Sequence, residues 1–152
     1  MYETCGEMLE REQLDGVIIA TPEHLHVDPV VQAAEAGCHI FLEKPMARTL
    51  DQADQVIAAC RGNRCKLMIG YILRFEPAYI EIKRAVAGGN IGEFKSAYGR
   101  RNGTIDEARR LGGRTTVTNY IAVHDIDQIL WYHPGVEVRS VYARAVRGRV
   151  QE

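Results

Sequence analysis

The chain has no apolar run near the ~18 residues that a membrane span requires. Its first residues, Met1-Tyr2-Glu3-Thr4-Cys5-Gly6-Glu7, hold no basic segment followed by an apolar core, so no signal peptide is expected. Charge of either sign is not in excess: Lys plus Arg number 19, Asp plus Glu number 20, and the net charge is −1. That balance speaks against a nucleic-acid partner, which calls for a basic face, and against polybasic membrane attachment. Cysteine is sparse. Cys5, Cys38, Cys60 and Cys65 form no C-x-x-C pair and no metal-ligand spacing, so they read as reduced thiols of a cytoplasmic protein, and no metal is expected. Repeats, low-complexity tracts and Pro/Ser-rich linkers are also lacking. What is present is 46% hydrophobic and 26% charged residues over 152 positions, a globular composition rather than a disordered one, with length for one ordinary domain or two small ones.

Short apolar runs alternate with helical patterns. Residues 2–13 predict a helix anchored by Met8 and Leu9. Gly16-Val17-Ile18-Ile19-Ala20 predicts a parallel-sheet strand buried on both faces, stopped by Thr21-Pro22. A helix then runs to Ala36 with Val27, Val30, Val31 and Ala34 on one stripe, and Gly37 suits the residue just past its end. His39-Ile40-Phe41-Leu42 is a second strand. Thr49-Leu50-Asp51-Gln52 fits a capping box and opens a helix with Ala53, Val56, Ile57 and Cys60 on one side. Lys66-Leu67-Met68-Ile69-Gly70 is a third strand. This order implies βαβ units and a parallel sheet.

The pattern then changes. Pro77 starts a helix that carries Tyr79, Ile82 and Val86 and stops at Gly88-Gly89. Residues 94–100 predict a strand with alternating faces, 101–117 a Gly/Arg/Thr-rich loop, 119–132 a helix and 137–146 a strand. The expected division is 1–73 for the parallel-sheet part and 74–152 for a second domain. Three parallel strands, and then two strands with two helices, are each small enough to be marginal alone. An unpaired sheet edge invites self-association.

Glu43-Lys44-Pro45 directly follows the second strand. Open α/β sheets bind ligands at the carboxyl ends of their strands, so Lys44 is a candidate to hold a substrate oxygen and stabilise charge growing there. Taken bare, a lysine at a strand end is more commonly a solvated surface charge. In the 119–132 helix, at about 100° per residue, Tyr120, His124 and Asp127 fall on one face, and Ala122, Val123, Ile126, Ile129 and Leu130 on another. The apolar stripe is then expected inside and the polar face toward a cleft. Histidine titrates near neutrality and suits proton transfer. Asp127 either orients that imidazole or pairs with an arginine. Arg100, Arg101, Arg109, Arg110 and Arg114 read as a solvated loop, with contact to an anionic substrate as the alternative. His24 and His26 read as surface or capping groups, and Trp131 as core.

Ala20-Thr21-Pro22-Glu23-His24-Leu25-His26, Ala36-Gly37, Phe41-Leu42-Glu43-Lys44-Pro45-Met46-Ala47, Gly70-Tyr71, Arg74-Phe75, Pro77, Ala78-Tyr79, Gly89-Asn90-Ile91-Gly92-Glu93 and His124-Asp125-Ile126-Asp127 with Trp131 occur in this order. The ensemble, over residues 8–146, resembles the Gfo/Idh/MocA family of NAD(P)-dependent oxidoreductases. The resemblance implies an α/β fold, with the later part of a Rossmann parallel sheet followed by the start of an α+β open-sheet domain. It implies a cofactor, NAD or NADP, lying along Thr21 and Pro22. Glu43 and Lys44 would sit beside the nicotinamide ribose, Arg74 would lie near the same cleft, and His26 stands where the family repeats a histidine; these four, with Thr21 and Pro22, are the cofactor-binding candidates. Lys44 and His124 become the catalytic candidates, one reaching the substrate oxygen and the other moving the hydroxyl proton. Lys44, Tyr120, His124 and Asp127 are the substrate-binding candidates. The implied substrate is a sugar, polyol or related alcohol or carbonyl compound, and the intact protein is expected to be a homo-oligomer through its C-terminal sheet.

Two features depart from the family. No G-x-G-x-x-G turn occurs, and Gly88-Gly89-Asn90-Ile91-Gly92 does not replace it because it follows a helix. The chain therefore reads as a fragment beginning after the first half of the Rossmann fold, with a catalytically inactive product or an interaction module as the alternative. Many members also carry an aspartate four residues before the catalytic histidine. Here Tyr120 stands there, a phenol able to hydrogen-bond but uncharged near pH 7, or else simply packed.

Overall fold

Thr4 ends the extended N-terminus, because its hydroxyl accepts the Glu7 backbone N–H at 3.1 Å and so starts α1 (Cys5–Arg11), shorter at both ends than the periodicity suggests. In this computed structural model, residues 1–144 are described, and the chain divides into two compact units, Met1–Tyr71 and Ile72–Glu152.

The first unit is built on three parallel strands, β1 (Gly16–Ile19), β2 (His39–Leu42) and β3 (Leu67–Ile69), in the order β1-β2-β3. Ile19, Leu42 and Ile69 stand in one register row, and Ile18, Phe41 and Met68 in the next. The crossovers are α2 (Val27–Glu35) and α3 (Leu50–Gly62). Val30, Ala33 and Ala34 of α2 and Val56 and Cys60 of α3 close over Ile19, Ile40 and Leu42 to form the core. The apolar runs predict strands buried on both faces. Instead, among the described residues, only the α2–α3 face is covered: Ile18 is 77% exposed and Met68 45%. Both crossover helices lie against the same side chains, so the alternate row stays open.

The helix ends follow their local chemistry. Thr49 accepts the Gln52 N–H at 3.3 Å, and the Gln52 carboxamide reaches back to the Arg48 N–H at 3.2 Å, one residue earlier than a strict capping box. Gly37 ends α2 at φ +80°, with its N–H on the Ala34 carbonyl and the Cys38 N–H on the Ala33 carbonyl, both at 2.9 Å. The buried thiols of Cys38 and Cys60 are pushed above the ordinary thiol range by desolvation, which leaves them poor nucleophiles.

The second unit opens on a 3₁₀ turn (Ile72–Phe75) and α4 (Pro77–Ala87), with proline in the first helical turn, where its missing N–H costs nothing. It continues with α5 (Ile105–Leu111), a π-helical turn (Thr118–Ala122) and α6 (Val123–Tyr132). Three expectations change here. The predicted 101–117 loop contains α5, started by Thr104 accepting the Glu107 N–H at 3.1 Å. Residues 94–100 form no strand, and neither do 137–144; positions 145–146 of the second predicted strand lie outside the described residues. Alternating side chains make a strand only where a neighbouring backbone completes the ladder, and no described segment pairs with either stretch. Among the described residues, no helix is long and apolar enough to cross a membrane.

Gly37→Ala meets nothing within 4 Å of the added carbon, so its cost is the left-handed backbone alone, about 1–2 kcal/mol. Urea unfolding should show a lower midpoint with an unchanged slope. An unaltered midpoint would remove this cap from the account.

Candidate functional site

The carboxyl ends of the three strands place Thr21, Glu43 and Gly70 at one edge of the first unit. The ladder ends with Glu43 N–H on the Ile19 carbonyl (2.9 Å) and Gly70 N–H on the Leu42 carbonyl (2.8 Å). The Glu43 carboxylate is fixed at this edge, since its Oε2 accepts the Lys44 backbone N–H at 2.9 Å. Gly70 makes room for it: a Cβ there would stand 3.3 Å from the Phe41 ring and 3.4 Å from Glu43 Oε1. Lys44 is half-buried, and the Lys44–Pro45 peptide is cis. Thr21 and Pro22 are exposed, with the Thr21 hydroxyl donating to the Leu25 carbonyl at 3.4 Å.

His26 is not a surface group. It is 0% exposed; it occupies the N-cap position of α2 but its side chain makes no capping bond, and its two ring nitrogens lie against the carbonyls of Thr21 (2.9 Å) and Pro45 (3.0 Å). Backbone acceptors that draw a histidine inward leave no mark in the side-chain pattern.

In the second unit, Arg74 and Asp127 form a two-pronged pair, Nε to Oδ2 at 3.0 Å and Nη2 to Oδ1 at 2.5 Å. Of the two roles open to Asp127, the structure shows pairing with an arginine. The expected facing of α6 is reversed in part: Asp127 and Gln128 are buried, whereas Ile126 is 49% and Leu130 40% exposed. The guanidinium compensates the carboxylate, so the polar row can face the 3₁₀ turn and α4. Lys83 of α4 donates to the last carbonyls of α6, Trp131 (2.6 Å) and Tyr132 (3.4 Å), where a cation complements the helix dipole. Trp131 is half-buried, with the Arg74 and Lys83 cations each 5.9 Å from its ring.

Tyr120 and His124 are half-buried on the π turn and α6. The Tyr120 hydroxyl donates to Glu107 Oε1 at 2.9 Å and receives Arg110 Nη2 at 3.4 Å. The Glu107 carboxylate holds the phenol above its ordinary range, with desolvation adding to it. A cleft of about 500 Å³ runs beside this pair, lined by Arg101, Thr104, Glu107, Thr116 and Tyr120. Glu107 was the residue missed by pattern reading, although Thr104-Ile105-Asp106-Glu107 carries the S/T-x-x-E spacing. The arginines are largely engaged within the unit: Arg101 with Asp125 (3.0 Å), Arg109 with Asp106 (3.3 Å), and Arg114 with the Leu111 and Arg110 carbonyls.

A parallel sheet crossed by helices, with polar groups gathered at the strand carboxyl ends, is the architecture of dinucleotide-binding α/β domains. Residues 1–71 match the family described as "Oxidoreductase family, NAD-binding Rossmann fold". Through that first unit the chain is similar to the Gfo/Idh/MocA family of oxidoreductases. It is 34% identical to the rhizopine catabolism protein MocA of Rhizobium meliloti, over 86% of this chain and 41% of that one. With scyllo-inositol 2-dehydrogenase (NAD(+)) of Bacillus subtilis it shares 32%, over 89% of this chain and 40% of that one. Among solved structures, the aldose-aldose oxidoreductase of Caulobacter crescentus complexed with glycerol superposes with a TM-score of 0.71 at 31% identity, covering 86% of this chain and 41% of that one. The chain thus spans about 40% of the length of the curated relatives it matches.

Breaking the Arg74–Asp127 pair from one side leaves a buried charge. Arg74→Met should destabilise by about 2 kcal/mol, below the value for a fully buried pair because the guanidinium is part-exposed. The Arg74→Met/Asp127→Asn double variant should cost less than the sum of the two singles in a denaturation cycle. Strict additivity would mean that the pair carries no coupling. For Tyr120, carbon-13 tyrosine NMR across alkaline pH should show its ionisation moving back toward the ordinary phenol range in Glu107→Gln. The opposite displacement would contradict the assigned cause.

Proposed function

We propose that the chain carries the nicotinamide end of a dinucleotide site and part of the substrate side of an oxidoreductase that moves hydride between NAD or NADP and a sugar, polyol or related alcohol. The observation that carries this reading is the turn after the middle strand, where Glu43 is pinned and Lys44 stands at the strand's carboxyl end. The residues there fit a ribose: the Glu43 carboxylate can accept from hydroxyls, and the exposed Thr21-Pro22 turn offers a surface at the same sheet edge. No G-x-G-x-x-G turn is available for the pyrophosphate, and no residue is assigned to it.

When bound, the nicotinamide ring supplies the two-electron acceptor or donor. Lys44 Nζ holds the reacting oxygen and stabilises negative charge on it. His124 takes the hydroxyl proton in the oxidative direction and returns it in the reductive one. Tyr120, tied to Glu107, offers its phenol oxygen to a substrate hydroxyl. Asp127 serves through Arg74, holding that side chain against α6. The names of the inositol and aldose relatives support the polyol and sugar class of substrate. Association of copies through the second unit, and a cytoplasmic location consistent with four free thiols, complete the reading.

Calorimetric titration of the chain with NADH and with NADPH tests it. Saturable binding with Kd of order micromolar, roughly 8 kcal/mol, is expected for one of the two. Lys44→Ala should weaken that binding about tenfold, through loss of one charge-assisted hydrogen bond to the nicotinamide ribose beside it. Absence of saturable binding to either nucleotide overturns the reading.

A further inference from the structure

The two carbonyls that flank His26 lie just beyond the ends of two neighbouring strands, Thr21 past β1 and Pro45 past β2. The last rung between those strands is the bond from Glu43 N–H to the Ile19 carbonyl. Past it the backbones separate and the ladder offers nothing further. The imidazole fills that gap, Nε2 at 2.9 Å from the Thr21 oxygen and Nδ1 at 3.0 Å from the Pro45 oxygen. A carbonyl oxygen only accepts, so the ring supplies the N–H: a neutral imidazole donates to one of the two carbonyls and an imidazolium to both. The side chain is wholly enclosed, and both of its polar atoms face backbone, so it presents nothing to a ligand directly.

Lys44 lies between two fixed points. On one side, its own N–H is held by the Glu43 carboxylate and Glu43 N–H by Ile19. On the other, the Pro45 carbonyl is held by His26. We propose that His26 is a positioning residue: it replaces the missing rung between the Thr21 and Lys44 turns and sets where the Lys44 ammonium stands relative to Thr21-Pro22. The brace rests on geometry alone. Its consequence for a bound nucleotide or substrate rests on the function proposed above.

The test is competitive acetylation of the full chain with trace acetic anhydride, read by mass spectrometry as the rate at Lys44 relative to Lys66. Lys66 is exposed and precedes β3, at the opposite end of the same sheet, so it reports global changes but not the turn. His26→Phe keeps a flat ring and deletes the ring's hydrogen-bonding nitrogens. His26→Gln keeps a carboxamide with two N–H groups. His26→Asn keeps the donors but is too short to span both carbonyls. The Lys44/Lys66 ratio should change about threefold or more in His26→Phe, the population shift expected from losing one or two net hydrogen bonds. It should return toward the parent value in His26→Gln. Where the phenylalanine variant does not fold, His26→Asn should show the same change.

An unaltered ratio in a folded His26→Phe or His26→Asn chain overturns the proposal, even if the melting temperature falls. Failure of all three variants to fold makes His26 a stability residue alone and overturns it equally. Should the parent chain bind neither NADH nor NADPH, the functional reading fails while the acetylation ratio still decides the brace.

Discussion

Ala33 and Ala34 of α2 are both fully buried, and their single methyl groups let the helix lie close on the sheet. Larger side chains at those two positions would lift α2 from Ile19, Ile40 and Leu42 and open voids that a packed interior does not tolerate. With α2 seated, β1 and β2 must run parallel, and α3 repeats the crossing with Val56 and Cys60 as its inward residues. Two such crossings send every strand the same way. Thr21, Glu43 and Gly70 therefore arrive at one edge, and the chemistry of the Lys44 turn follows from a packing decision made on the opposite side of the strands.

The second unit rests on electrostatics more than on apolar burial. A carboxylate sits inside α6 because Arg74 reaches it with two parallel bonds, while Lys83 closes the carbonyl end of the same helix. Trp131 lies near both cations and gives their stems an aromatic surface. This arrangement leaves Ile126 and Leu130 outward, a reversal that cannot arise from hydrophobicity alone.

Those two units differ in how far they could be read from residues. The strands of the first were legible as short apolar runs bounded by Thr-Pro, Gly and Lys, and α2 and α3 from their stripes and their Gly37 and Thr49 signals. Local chemistry sufficed because each of these elements is stabilised by its own pattern. Residues 94–100 carried an equally clear alternation, yet a strand is a property of two backbones, and alternation reports only one. The Arg and Gly density of 101–117 masked the cap at Thr104 that begins α5. Periodicity set Tyr120, His124 and Asp127 on one helical face, but it showed neither the π turn that takes up Tyr120 nor the arginine from another element that turns Asp127 inward. His26 was the hardest to read, since its partners are carbonyls 5 and 19 residues away that any sequence would possess.

The turn from Thr118 to Ala122 departs from α-helical spacing: the Val123 N–H bonds the Thr118 carbonyl, five residues back instead of four. One residue is thereby wound into the helix without advancing its pattern, a local excess of about 100° of rotation. Tyr120 sits inside that excess and His124 just beyond it. Deleting a single residue from this turn would restore ordinary α spacing while the helix on either side kept its facing. A change of one codon thus separates the widened turn that holds Tyr120 from a plain helix, without turning His124 away. A lineage carrying this segment has a short mutational path for altering the Tyr120 turn while α6 and its Arg74 anchor stay in place.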